Sequence, residues 1–201
     1  MSADGRRRRI GLFGGSFDPV HVAHVALARQ ALDQLALDSV RWMPVGEPWQ
    51  KSRVLAPPEH REAMVRLAMA DEPRYGLERA ELDRAGPTYT LDTVRALRAA
   101  EPDVDWTLVL GEDQFAGLHT WHGWRELLAS ARLAVAGRPG TGTAPHADVA
   151  AAAHDRVALP PMTVSSSEVR ARLAEGLSID GFVPDAVARY IARHQLYATP
   201  A

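Results

Sequence analysis

His21 and His24 stand three residues apart, just after the pair Gly14-Gly15. On a helix that spacing puts both imidazoles on one side, about a turn from each other. The stretch that carries them, Ile10-Gly11-Leu12-Phe13-Gly14-Gly15-Ser16-Phe17-Asp18-Pro19-Val20-His21, reads as strand, turn and helix start. Ile10 to Phe13 is an apolar run suited to a buried parallel strand. Gly14 and Gly15 let a ligand approach the main chain, with Ser16 and Phe17 completing the turn. Asp18 is the expected N-cap and Pro19 the expected first helical residue. Open N–H groups and the positive end of the helix dipole would then face whatever sits over the turn, and phosphate is the natural occupant. The dipole disfavours imidazolium and a bound polyphosphate favours it, but either form donates a hydrogen bond to a phosphoryl oxygen. Singly, each feature has an ordinary explanation in a tight connection or a surface histidine pair. Together and in order they are specific.

A second set lies far along the chain, Val164-Ser165-Ser166-Ser167-Glu168-Val169-Arg170. Ser165 and Glu168 have capping-box spacing, so a helix starts there. Capping does not account for Ser166, Ser167 and Arg170. Hydroxyls and N–H groups at a helix start with an arginine one turn in form a second polyphosphate cradle. Between the two sets, Leu108-Val109-Leu110 reads as a central strand ending in Gly111-Glu112-Asp113. Asp113 there suits a ribose diol, since a carboxylate accepts two O–H bonds, and it suits equally well the N-cap of a following helix. Trp121 offers a flat face to a base or pyridine ring. His119 and His122 repeat the three-residue spacing, which would allow a four-histidine metal site with His21 and His24. No carboxylate or HExxH-type spacing supports one, and no metal ligand is assigned.

These residues need a sheet to hold them. Strand Ile10–Phe13, helix Val22–Leu37 and strand Val40–Val45 have the spacing of a parallel crossover unit. A loop, 46–58, follows with Lys51 and Arg53, at the strand end where open α/β sheets place ligands. Further helices are expected at Glu59–Asp71, from Thr90 to Ala100 with Thr90 as candidate cap, and after Ser165. Weaker strand patterns cover 74–82, 132–138 and 157–160, with a variable loop at 139–153. The expected architecture is α/β, Rossmann-like and doubly wound, with a mainly parallel sheet and helices on both faces. The two cradles are expected at opposite ends of that sheet. One domain spans 1–201, with a poorly ordered basic start through residue 8 and a closing helix over 184–197.

Composition narrows the function. The 201 residues carry a net charge of −2, so no global basic field argues for nucleic acid. There is no cysteine, which removes disulfides and thiolate catalysis and fits a cytoplasmic protein. No stretch reaches membrane-spanning length. The oligomeric state is left open, a homo-oligomer included.

Gly-Gly-Ser-Phe-Asp-Pro-Val-His-x-x-His resembles the signature of the nucleotidyltransferases that share a histidine motif with class I aminoacyl-tRNA synthetases, with Ala23 where glycine is usual. The serine-rich segment resembles the same superfamily's I-S-S-T-x-x-R. Pro-Thr-Tyr-Thr, Gly-x-Asp followed by Thr-Trp, and Val-Pro…Tyr-Ile extend the likeness over nearly the whole chain, to the nicotinate-nucleotide adenylyltransferases. The resemblance implies adenylyl transfer from ATP to nicotinate mononucleotide. It implies His21, His24 and Arg170 as catalytic, and Gly14, Gly15, Ser16, Phe17, Gly111, Asp113, Ser165, Ser166 and Ser167 as the ATP site. It also implies Lys51, Thr90, Trp121 and His122 at the second substrate, with Mg²⁺ bridging the polyphosphate. Rival readings are a nicotinamide mononucleotide or phosphopantetheine adenylyltransferase, a cytidylyltransferase, and a non-catalytic nucleotide-binding regulator on the same fold.

Overall fold

The computed structural model describes residues 5–47, 54–137 and 144–198. Its centre is β1 (Arg8–Gly15), whose middle residues are buried on both faces, as a continuous apolar run requires. Around it lie β2 (Ser39–Pro44), β3 (Tyr75–Leu77), β4 (Val104–Gly111), β5 (Arg132–Ala136) and β6 (Asp155–Val157). The sheet order is β3-β2-β1-β4-β5-β6 and every pairing is parallel. This is the doubly wound order of the Rossmann fold, whose strand order reverses between β1 and β4.

Side-chain alternation along β1 feeds two cores. Ile10 and Leu12 join Leu91, Trp106, Leu108 and Leu127 on one face. Phe13 joins Phe17, Trp42, Met64 and Val65 on the other. Helices α1 (Val22–Gln34) and α2 (Pro58–Met69) contribute to the Phe13 side, as do α7 (Ser166–Ala174) and α8 (Asp185–Arg193). Helices α3 (Thr90–Ala100), α4 (Glu112–Ala116), α5 (Trp124–Ser130) and α6 (Ala147–Ala150) contribute to the other.

Several sequence expectations shift. Helix α1 stops at Gln34, three residues before the expected end, and its cap Leu35 is followed by Ala36 at φ +46°. The edge strand β3 keeps only Tyr75–Leu77 of the expected 74–82. The loop at 139–153 contains α6, started by His146, whose ring accepts from the Asp148 N–H at 3.2 Å, and anchored by buried Val149. The last strand ends at Val157 instead of starting there. The arginines at the start are not a loose solvated run: Arg6 pairs with Asp38, Arg7 with Asp105 at 2.9 Å and Arg8 with Glu101 at 2.8 Å.

Candidate active site

The carboxyl ends of β1 and β4 meet at the reversal point, so the glycine turn and Gly111 lie at one edge of the sheet. Beyond Gly15 the chain turns through Phe17, which has φ +45° and a fully buried side chain packed on Phe13 and Trp42 at ring separations of 5.3 Å each. A left-handed conformation is costly for a bulky residue, and here the aromatic packing holds it. With the ring turned inward, Phe17 has only backbone to offer a ligand. Gly15 is needed because a Cβ there would sit 3.0 Å from that ring.

The helix start differs from expectation. The N-cap of α1 is His21, with Val22 the first helical residue. Asp18 is not free to cap. It is fully buried, and its carboxylate accepts from the Ala56 N–H at 3.2 Å and the Tyr197 hydroxyl at 2.7 Å. The helix amides are also partly committed: Val22 N–H donates to the Phe182 carbonyl at 3.0 Å and His24 N–H to the His21 carbonyl at 2.9 Å. Anion binding here therefore rests more on the imidazoles than on bare amides.

Those imidazoles stack, with ring centroids 3.6 Å apart and planes 25° from parallel. The His21 N–H donates to His24 Nδ1 at 3.1 Å. An Nδ1 that accepts is unprotonated, which puts the ring's proton on Nε2. His21 is 7% exposed, and burial lowers its pKa to about 4. Its Nδ1 is enclosed with no hydrogen-bond partner among the described residues, leaving Nε2 as the nitrogen available to a ligand. At neutral pH His21 is an uncharged imidazole.

The serine-rich segment lands on this same turn. Ser166 Oγ donates to the Pro19 carbonyl at 2.9 Å, and Arg170 Nη1 to the Asp18 carbonyl at 2.6 Å. The two cradles are thus one contiguous site, and the expectation that they lie at opposite ends of the sheet is corrected. Connectivity alone does not reveal that a late helix packs beside the first turn. Ser165 caps α7, accepting from the Glu168 N–H at 3.1 Å, and Ser167 Oγ accepts from Arg170 Nη2 at 3.1 Å. Both hydroxyls keep their own protons for a ligand. Ser166 spends its proton on Pro19.

At the end of β4 a Cβ added to Gly111 would meet nothing within 4 Å. The protein's own packing does not demand glycine there. Gly111 itself is the N-cap of α4, so Asp113 is not a cap, and it lies exposed in the first turn.

The described residues expected at the second substrate lie on α3 and in the segment before α5. Tyr89 caps α3, making Thr90 its first helical residue, and His122 lies against the Tyr89 ring at 4.4 Å. Trp121 is half-buried against the Leu91–Trp106 core. Gly123 has φ +61°, and a Cβ there would come 2.3 Å from Leu91 Cδ2. His119 stacks on His146 at 5.4 Å. Among the described residues no group of three or more His, Asp or Glu is placed to hold a metal ion. Lys51 and Arg53 lie outside the described residues.

Two contributors escaped the sequence reading. Arg61 on α2 is 1% exposed and donates to four carbonyls, those of Ser16, Val45, Gly46 and Ala56. Its position had a signal: with Met64, Val65 and Ala68 it falls at helical spacing on the inward stripe. Glu81 is 3% exposed, accepts from the Thr88 hydroxyl at 3.1 Å, and has its carboxyl pKa raised by burial. Nothing in its sequence neighbourhood marks it as buried. No described helix is long and apolar enough to cross a membrane.

Comparison with known proteins identifies the family. The cytidylyltransferase-like family matches residues 12–172. The probable nicotinate-nucleotide adenylyltransferase of Methylibium petroleiphilum is 48% identical over 200 residues, covering 96% of this chain and 94% of that protein. The probable enzyme of the same name from Bordetella petrii is 50% identical over 196 residues, covering 94% and 99%. The Plasmodium falciparum nicotinic acid mononucleotide adenylyltransferase complexed with NaAD superposes with a TM-score of 0.80 over 94% of this chain and 97% of that one; at 19% identity it speaks for the fold alone. With a family match over most of its length and relatives near half identical from end to end, the chain belongs to the cytidylyltransferase-like family and, within it, to the nicotinate-nucleotide adenylyltransferases.

Proposed function

We propose that this chain transfers the adenylyl group of ATP to nicotinate mononucleotide, giving deamido-NAD and pyrophosphate. The observation that carries the reading is the meeting of Arg170 and Ser166 with the Asp18 and Pro19 carbonyls, with only Val20 between Pro19 and His21. It brings the Ser165 and Ser167 hydroxyls and the Arg170 guanidinium to the turn that leads into the two imidazoles, donors enough for a polyphosphate.

The reaction asks little acid–base work of the protein. A phosphate monoester with second pKa ~6 is largely dianionic at neutral pH, so the nucleophile arrives deprotonated. Its oxygen attacks the α-phosphorus as the bond to the bridging oxygen of pyrophosphate breaks. What remains is alignment and stabilisation of charge. His24 Nε2–H and the Nε2 edge of His21 serve the transferring and leaving phosphates, and Arg170 stands beside them with Ser165 and Ser167. Gly14 to Phe17 contribute backbone, and Asp113 beyond Gly111 suits the ribose diol. Thr90, Trp121 and His122 frame the pyridine ring, and Lys51 takes substrate phosphate. Mg²⁺ would arrive on the ATP oxygens and neutralise charge there, since the carboxylate on the signature turn, Asp18, is already engaged by Ala56 and Tyr197.

Pyrophosphate release from ATP and Mg²⁺, with nicotinate and nicotinamide mononucleotide in parallel, tests this. A strong preference for the acid is expected, because a site built for one polar group discriminates against another. Phosphopantetheine with ATP, and CTP in place of ATP, complete the assay. No release from ATP with nicotinate mononucleotide would refute the proposal. His21→Ala and His24→Ala are each expected to lower turnover at least tenfold, about 1.4 kcal/mol or more.

A further inference from the structure

We propose that Arg61 is a positioning residue for adenylyl transfer, fixing the nucleotide turn and the second-substrate loop at one mutual distance. The inference rests on the reaction proposed above. Arg61 Nη1 donates to the Ser16 carbonyl at 3.2 Å and to Val45 at 2.6 Å; Nη2 donates to Gly46 at 3.2 Å and Nε to Ala56 at 3.0 Å. Ser16 belongs to the turn after β1. Val45 and Gly46 leave β2, and Ala56 enters α2, so these three residues are the two stems of the loop that carries Lys51 in sequence. One planar guanidinium therefore reaches the ATP turn and both stems of the facing loop at once.

The neighbouring contacts point the same way. Val45 N–H donates to the Gly15 carbonyl at 2.9 Å. The Ala56 peptide is held from both sides, its N–H by Asp18 and its carbonyl by Arg61. Gly46 is pressed so closely on the Glu81 backbone that a Cβ would lie 2.1 Å from its carbonyl oxygen. Burying a guanidinium at 1% exposure is expensive unless its donors are satisfied. An apolar side chain would fill the same stripe of α2 beside Met64 and Val65, yet it would satisfy none of these four carbonyls. Lysine offers three donors from a single point and cannot span the same fork. In-line transfer depends on the separation of two bound phosphates, and an error of about 1 Å can cost a hundredfold in rate. The group that sets that separation acts on turnover and not on the affinity for either substrate alone.

Arg61→Lys tests this against a purely structural role. Competent sites are counted by calorimetric titration with α,β-methylene-ATP, and kcat is expressed per competent site. The expected result is a kcat at least tenfold lower, with the KM for each substrate within threefold of wild type. A kcat per site within threefold of wild type, or a loss carried by either KM, would overturn the proposal. A variant that does not fold leaves a second measurement on the wild-type protein, amide hydrogen exchange with and without α,β-methylene-ATP. The nucleotide is expected to protect the amides of 45–47 and 55–56 together with those of 14–17. Protection confined to 14–17 would overturn the coupling. A wild type that releases no pyrophosphate would sink the reaction proposed above, whereas the exchange experiment judges the coupling independently of activity.

Discussion

Replacing His21 by asparagine should change how the fold responds to acid. The His21 pKa falls from 6.5 to about 4 because burial disfavours the imidazolium. Between those values the unfolded chain binds a proton that the folded chain does not. Stability from this residue is therefore fully present above pH 6.5 and is lost as pH falls toward 4. The gap of about 2.5 pH units is worth about 3.4 kcal/mol at 1.36 kcal/mol per unit, and half-protonation of the folded state at pH 4 trims that to about 3 kcal/mol. Asparagine is itself a favoured N-cap, so the helix start survives while the titration disappears. Urea unfolding of both proteins at pH 7 and pH 4 provides the assay, and the difference of differences cancels the carboxylates they share. Wild type should lose about 3 kcal/mol more than His21→Asn over that interval. Parallel losses, within about 0.5 kcal/mol, would refute the claim that His21 is an uncharged donor at the start of α1.

Arg170→Lys should lower kcat/KM at least tenfold with little change in melting temperature, since lysine cannot hold both the Asp18 carbonyl and Ser167; steady-state kinetics beside thermal unfolding decide. Gly123→Ala should destabilise by about 2 kcal/mol, because the position has φ +61° and the new methyl meets Leu91, which is only 2% exposed; denaturant unfolding measures it. Glu81→Gln should flatten the pH dependence of stability. Burial raises the Glu81 pKa, so the folded state holds the extra proton and wild type weakens as pH rises from 4.5 through the elevated value, while glutamine still accepts from Thr88. Parallel wild-type and variant profiles between pH 5 and 8 would count against a buried acid there.

Local chemistry made much of this site legible. The glycine turn and the Ser165 cap are written in contiguous residues and lie where their patterns place them, whereas the paired histidines stack with His21 as the cap and His24 in the first turn. Asp18 fits a cap equally well by residue type, and only the tertiary contacts of Ala56 and Tyr197 divert it. The joining of the two cradles is hidden for a related reason: strand periodicity says which segments pair with something, not with what. Arg61 lay within reach as a cation on an apolar stripe, although its four acceptors come from loops whose approach no local pattern encodes.

The contacts that complete the site have a consequence for the nascent chain. Pro19 waits for Ser166, the Asp18 carbonyl for Arg170, the Val22 amide for Phe182 and the Asp18 carboxylate for Tyr197. Closing contacts over such separations costs loop entropy and comes late in folding. Translation delivers the signature first and its partners last, so these contacts can all close only after the last helix has been made. A chain truncated before α7 would carry the recognisable motif without the Ser166 and Arg170 contacts that brace it.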